Sequence, residues 1–217
     1  MYFPIFLDLR GKAVLVIGNH KETVKRVETL ITAGAKVTVL AKTPSAALVT
    51  LQKKKIIKLI RNEKYESVIE SQFLVIVCGG ERKVNEKIAH LCFEQERLVN
   101  VLDDPELCNY IFPSTFREGP LQVAVSTGGA SPALAKHIRK KIQREWGKSW
   151  GSFLKFAQEN RAKVMKTVRD EKLRKKIFEN AGSKKIVSML NSGKVQSAKK
   201  EFKKHYEKLT GKGASKK

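Results

Sequence analysis

The chain has 217 residues, 41% of them hydrophobic, and its 44 Lys and Arg outnumber 21 Asp and Glu for a formal net charge of +23. That length admits one full-sized domain plus a smaller one, and that apolar content supports a packed core, which excludes a chain disordered throughout. Three cysteines (Cys78, Cys92 and Cys108) are too few and too irregularly spaced for a disulfide framework or a zinc site, and each lies among apolar neighbours as a buried free thiol would.

Taken in order, the chain opens with Met1-Tyr2-Phe3-Pro4, which lacks the basic start of a signal peptide, and Asp8 and Arg10 interrupt the apolar run behind it. Lys12 to Gly18 is a near-continuous apolar run of the kind a parallel strand buried on both faces requires. Val24, Val27, Leu30 and Ile31 follow at helical spacing, and Ala33-Gly34 marks a helix end. Lys36–Leu40 supplies a second strand, which completes a β-α-β unit. A helix over 45–54, a short strand over 56–60 and a polar connection come next. Phe73 to Cys78 then reads as a buried strand ending in Gly79-Gly80, with a helix over 83–96 and a strand over 98–102 behind it. Alternating strands and helices predict an α/β fold, a Rossmann-like doubly wound parallel sheet.

The stretch from Leu98 to Pro132 carries the densest signals. The Leu98 strand runs into Asp103-Asp104-Pro105, and a further strand candidate, Leu121–Val125, runs into Ser126-Thr127-Gly128-Gly129-Ala130-Ser131-Pro132. Ligands of open α/β sheets bind at such carboxyl strand ends. Asp104 and Ser131 each precede a proline and read as helix N-caps, while Gly128 and Gly129 leave backbone N–H groups able to face an anion. Beyond Pro132, Leu134, Ile138 and Ile142 share a helix face. From Trp150 on the apolar positions keep helical spacing, punctuated by Gly182 and Gly193. The expected organisation is a dinucleotide-binding domain over 1–113, a segment over 114–147 for dimerisation and the substrate cleft, a basic helical domain over 148–209, and a disordered basic tail over 210–217.

The charge is unevenly placed. From Lys136 to Lys217 there are 26 Lys and Arg against 7 Asp and Glu, net +19, whereas residues 1–135 carry 18 against 14, net +4. A basic second half calls for an anionic partner. Few aromatics interleave these cations, which argues against nucleic acid. His20, His90, His137 and His205 have no partner at ligand spacing, so no metal site is expected. No apolar stretch approaches membrane-spanning length, and a cytoplasmic protein is expected.

The first turn departs from the dinucleotide-binding fingerprint. Gly18 occupies the first glycine position, but His20 stands at the second, where the backbone would approach a pyrophosphate, and Thr23 at the third. The second strand ends in Lys42-Thr43 where an acid would bind a ribose.

Pro4 to Lys12, Gly34 to Val39, Asn100 to Cys108, Ile111-Phe112-Pro113 and Val125 to Ala135 occur in an order that resembles the precorrin-2 dehydrogenase/sirohydrochlorin ferrochelatase family, the N-terminal module of siroheme synthase. The resemblance covers roughly residues 1 to 145. It implies NAD-dependent oxidation of precorrin-2 to sirohydrochlorin, with metal insertion in some members, by a homodimer that exchanges the segment after about Ser114. It implies Asp103 as the catalytic aspartate that removes a proton, and NAD contacts at Lys21, Glu22, Lys42 and Thr43; Gly18, Asn19 and His20 of the first turn complete the expected cofactor site. Asn100, Ser126, Thr127, Gly128 and Gly129 would contact an anionic tetrapyrrole, and Thr127 stands where some siroheme synthases carry a phosphorylated serine. Where the family has a small or polar turn, commonly Thr with acids, this chain has Cys78-Gly79-Gly80-Glu81-Arg82. The departures gather at the cofactor, which keeps open a second reading: a chelatase, or a tetrapyrrole-binding module without chemistry, whose NAD site has degraded.

Overall fold

The apolar runs of the first half become parallel strands of one sheet. The computed structural model describes residues 2–62 and 64–211, which fall into two units dividing between Phe112 and Pro113. In the first unit β1 (Ala13–Ile17), β2 (Lys36–Leu40), β3 (Lys58–Ile60), β4 (Leu74–Val77) and β5 (Leu98–Val101) lie in the order β3-β2-β1-β4-β5. Val14 pairs in register with Val37 of β2 on one side and with Leu74 of β4 on the other, so the chain winds outward from β1 in both directions. Because successive strand residues face opposite ways, two apolar layers form. Val14, Val16, Val39 and Ile76 pack with Val27 and Leu30 of α1 (Lys21–Thr32) and Leu48 of α2 (Ala46–Lys53). Leu15, Val75, Val77 and Val99 pack on the other face with Ile69 of α3 (Glu66–Ile69) and Ile88, Ala89 and Cys92 of α4 (Arg82–Glu94). Both faces being covered, β4 is buried at every position, as its unbroken Leu-Val-Ile-Val requires.

Gly34 ends α1 at φ +82°, a left-handed conformation that glycine takes without steric cost, and Ala35 N–H returns to Leu30 O at 3.1 Å. The outer edge of β5 is closed by side chains. Asn109 Oδ1 accepts Val99 N–H at 2.8 Å, and Asn109 N–H returns to Val99 O at 3.1 Å. Cys108 Sγ accepts Val101 N–H at 3.2 Å and lies 3.4 Å from Val101 O.

The second unit opens with a hairpin, β6 (Ser114–Glu118) antiparallel to β7 (Leu121–Val125), closed by Gly119-Pro120 with Gly119 at φ +60°. The strand read at Leu121–Val125 is present, as one half of this hairpin. Leu121, Val123 and Val125 are only half-buried and alternate with exposed Gln122 and Ala124, the pattern of a strand with one wet face. Among the described residues, five α-helices follow: α5 (Pro132–Trp146), α6 (Lys148–Thr167), α7 (Glu171–Glu179), α8 (Lys184–Asn191) and α9 (Val195–Thr210). Their core is Phe153, Val164, Ile177, Ile186, Leu190, Ala198 and Phe202. A Cβ on Gly151 would overlap the Glu118 carbonyl, so that glycine lets α6 lie against β6. Thr210, read as the start of the tail, ends α9, and Gly211 caps it at φ +68°; the rest of that tail lies outside the described residues. No helix among the described residues is long and apolar enough to cross a membrane.

Candidate functional site

Strand order reverses between β1 and β4, and a cleft of about 850 Å³ opens there at the carboxyl ends of the strands. Gly18, Asn19 and His20 reach it from β1, Lys42 and Thr43 from β2, and Gly79 and Gly80 from β4. Five positions expected from sequence to contact a cofactor therefore line one cleft. Lys21 and Glu22 do not; Glu22 pairs with Lys25 at 3.6 Å on the surface of α1.

Each member of the first turn has a physical reason for its place. Gly18 sits at φ +104°, and a Cβ there would overlap the carbonyl oxygen of Cys78, so the ends of β1 and β4 approach this closely only because residue 18 is glycine. Asn19 ties two turns together, its Nδ2 donating to Thr43 O and its Oδ1 accepting Ser45 N–H at 3.1 Å. His20 is the N-cap of α1: Nδ1 accepts Glu22 N–H at 3.3 Å, and its carbonyl accepts Thr23 N–H at 2.9 Å. Thr23 is fully buried and donates to Gly18 O at 3.4 Å, which accounts for a hydroxyl where a dinucleotide turn usually has Gly or Ala.

The β4 side is more open to a ligand. Gly79 and Gly80 have φ of +90° and +101°, and the nearest atom to a Cβ on Gly79 would be His20 Cβ at 3.8 Å, so bare backbone faces the cleft. Glu81 precedes α4 without a side-chain capping bond, which leaves the Arg82 and Lys83 N–H groups without acceptors among the described residues. Lys42 and Lys87 add positive charge to the walls and Glu81 a negative one. Bare glycine backbone, uncapped amides and lysines fit a phosphate-bearing ligand such as a dinucleotide. Burial pushes the Cys78 thiol up, against an opposing hydrogen bond from Thr23, so it presents a neutral wall.

At the end of β5 the two adjacent aspartates differ. Asp104 Oδ2 lies 3.7 Å from Arg82 Nε, and that guanidinium also meets Glu86 and Glu106. Asp103 is exposed, at φ +63°, and no hydrogen bond or ion pair holds its carboxylate among the described residues. Val77 and Val101 are the last paired positions of β4 and β5, and Gly79 and Asp103 each lie two residues beyond. Asn100 is half-buried, with Nδ2 donating to Tyr110 O at 3.1 Å and lying 3.4 Å from Cys108 Sγ.

In the second unit the 126–131 turn is held by its own hydroxyls. Thr127 Oγ1 accepts Ser131 N–H and donates to Ser131 O, both at 3.1 Å, and Ser126 Oγ accepts Gly128 N–H at 3.1 Å. Gly128 and Gly129 face open space at φ +63° and +91°. Ser131 caps α5 by accepting Leu134 N–H at 3.2 Å, as Ser before Pro suggests.

Residues 5–114, half of the chain, match the family model described as putative NAD(P)-binding, and residues 118–145 match that of the sirohaem biosynthesis protein central region. The chain belongs to this NAD(P)-binding family. It is 32% identical over 201 residues to a siroheme synthase of Mannheimia succiniciproducens, covering 93% of this chain and 42% of that protein. It is 33% identical over 197 residues to one of Nitrosococcus oceani, covering 91% and 42%. The chain thus spans under half the length of these curated relatives. Among solved structures, that of SirC, a precorrin-2 dehydrogenase, superposes with a TM-score of 0.79 at 24% identity over 95% of this chain and all of that one, which shows the same fold. These matches bear out the resemblance read from Asn100 to Cys108 and Val125 to Ala135.

Within this NAD(P)-binding fold, Gly79 and Gly80, read in the sequence as the end of a buried strand and as part of a departure from the family, form a wall of the cleft. Asn85, buried one turn into α4, went unnoticed, because a single polar residue in an amphipathic helix pattern carries no signal of burial.

Proposed function

We propose that this chain oxidises precorrin-2 to sirohydrochlorin with NAD, as a cytoplasmic homodimer. The observation that carries the reading is the cleft at the β1/β4 strand reversal, in the half of the chain that matches the NAD(P)-binding family. Bound there, NAD supplies the hydride acceptor. Lys42 and Thr43 hold its adenosine end, and the bare backbone of Gly79 and Gly80 admits its other half at close approach. Asp103, whose carboxylate is held by no neighbour among the described residues, takes the proton that leaves the substrate as hydride departs. Asn100, Ser126, Thr127, Gly128 and Gly129 contact the tetrapyrrole, and the excess of Lys and Arg in the second half draws its carboxylates.

Anaerobic incubation with precorrin-2, followed by absorbance with and without NAD, tests this. Sirohydrochlorin formed only with NAD supports it, and no conversion under either condition overturns it. One observation favours a second reading: His20 occupies the second-glycine position and takes an amide of α1 for itself. A chelatase or a tetrapyrrole-binding protein without dinucleotide chemistry would bind sirohydrochlorin, or metallate it on addition of ferrous ion, while converting no precorrin-2.

A further inference from the structure

Among the described residues, Asn85 is one of three polar residues buried in the first unit, with 9% of its surface exposed. Thr23 donates to Gly18 O at 3.4 Å and Gln72 Nε2 to Val68 O at 3.0 Å, and Gln72, whose Oε1 is buried without a partner among the described residues, does not line the cleft. No hydrogen bond reaches the Asn85 side chain among the described residues. The amide is open to the cleft and not sealed in the core, so its donors and its acceptor stand available to a bound molecule. It lines the cleft, and its Oδ1 would lie 3.1 Å from a Cβ on Gly80, so the amide fills the space that glycine leaves beneath the Gly79-Gly80 turn.

A dinucleotide at a strand reversal lays its two halves on opposite sides of the crevice. Lys42 and Thr43, at the end of the second strand, stand on the side of the adenosine ribose, and Asn85 stands across from them on the β4 side. We propose that Asn85 is a cofactor-contacting residue that hydrogen-bonds the nicotinamide riboside half of the dinucleotide. Its one acceptor oxygen and two N–H donors match the carboxamide and the ribose hydroxyls, groups that the adenosine diphosphate half does not offer at that end. This rests on reading the cleft as a dinucleotide site.

The test titrates NAD, and separately ADP, into the full-length protein and its Asn85→Leu and Asn85→Ser variants by calorimetry, with melting temperatures of the ligand-free proteins alongside. Wild type should bind both ligands. Asn85→Leu should hold ADP within about twofold, lose NAD affinity about tenfold or more, and melt no lower than wild type, because the amide it replaces is unpaired. Asn85→Ser gives the same comparison if Asn85→Leu does not fold. Equal losses for ADP and NAD, unchanged NAD affinity, or a lowered ligand-free melting temperature would each overturn the assignment to the nicotinamide half. A wild-type protein that binds neither ligand would instead remove the dinucleotide site itself.

Discussion

The Nδ1 of His20 accepts the backbone N–H of Glu22 at 3.3 Å, so the residue standing where a dinucleotide turn has its second glycine is also the cap that starts α1. The imidazole and a pyrophosphate therefore compete for the same amide. Across the cleft, the first amides of α4 carry no such competitor.

His20→Gly separates these roles. Glycine is itself an adequate N-cap, so the helix should lose no more than about 1 kcal/mol. Removal of the ring frees Glu22 N–H and the space beside Gly79. We expect NAD to bind several-fold more tightly, read from NADH fluorescence titrations. Weaker or unchanged binding would mean that the phosphates rest against Gly79-Gly80 instead.

Asp103 invites a comparison of backbone with chemistry. Its φ of +63° suits glycine, is tolerated by Asp and Asn, and is poorly suited to alanine. Asp103→Gly should keep or slightly raise thermal stability, and Asp103→Ala should lower it by about 1 kcal/mol. Both should abolish precorrin-2 turnover. A glycine variant that turns over at a near-native rate would remove Asp103 from the site.

Asn109 stands in for a sixth strand along β5. Besides accepting Val99 N–H, it donates Nδ2–H to Arg97 O at 2.7 Å. Asn109→Ala strands a buried amide at Val99, a residue with no exposed surface, and should cost about 1–3 kcal/mol in urea unfolding. A loss below a few tenths would show that water reaches that edge.

Cys92 sets an alkaline limit. Burial pushes its thiol from 9.0 up to about 11. Between those values the folded protein keeps a proton that the unfolded chain gives up, so stability present in full below pH 9 drains away as pH rises through 11. The loss by pH 10 should be about 1 kcal/mol, with the raised Cys78 and Cys108 thiols adding in the same direction. Urea unfolding of wild type and Cys92→Ala at pH 8 and pH 10 checks this, because the variant should show a smaller difference between the two.

The parts of the fold legible in sequence are those where burial on two faces leaves no choice of residue. β2 falls on Lys36–Leu40 as read, and β1, β4 and β5 lie within their apolar runs. β6 escaped notice because Ser-Thr-Phe-Arg-Glu holds one buried side chain, Phe116, and so has no apolar run to detect. β7 was legible, but without the partner that makes it a hairpin. At the site, the glycine turns and Lys42-Thr43 were readable from their position after strands. The capping role of His20 was not, since histidine is an uncommon N-cap and its acceptor nitrogen depends on side-chain orientation.

The return of Cys108 and Asn109 along β5 decides how copies of this chain can meet. In a parallel ladder alternate residues present both backbone groups to one side, and the outward pair here is Val99 and Val101, with N–H and C=O engaged on each. A foreign strand arriving at that flank finds no vacant hydrogen-bonding group to template upon, and the sheet resists growth into edge-to-edge aggregates there. Self-recognition on that side must be written in side chains, where sequence can make it selective.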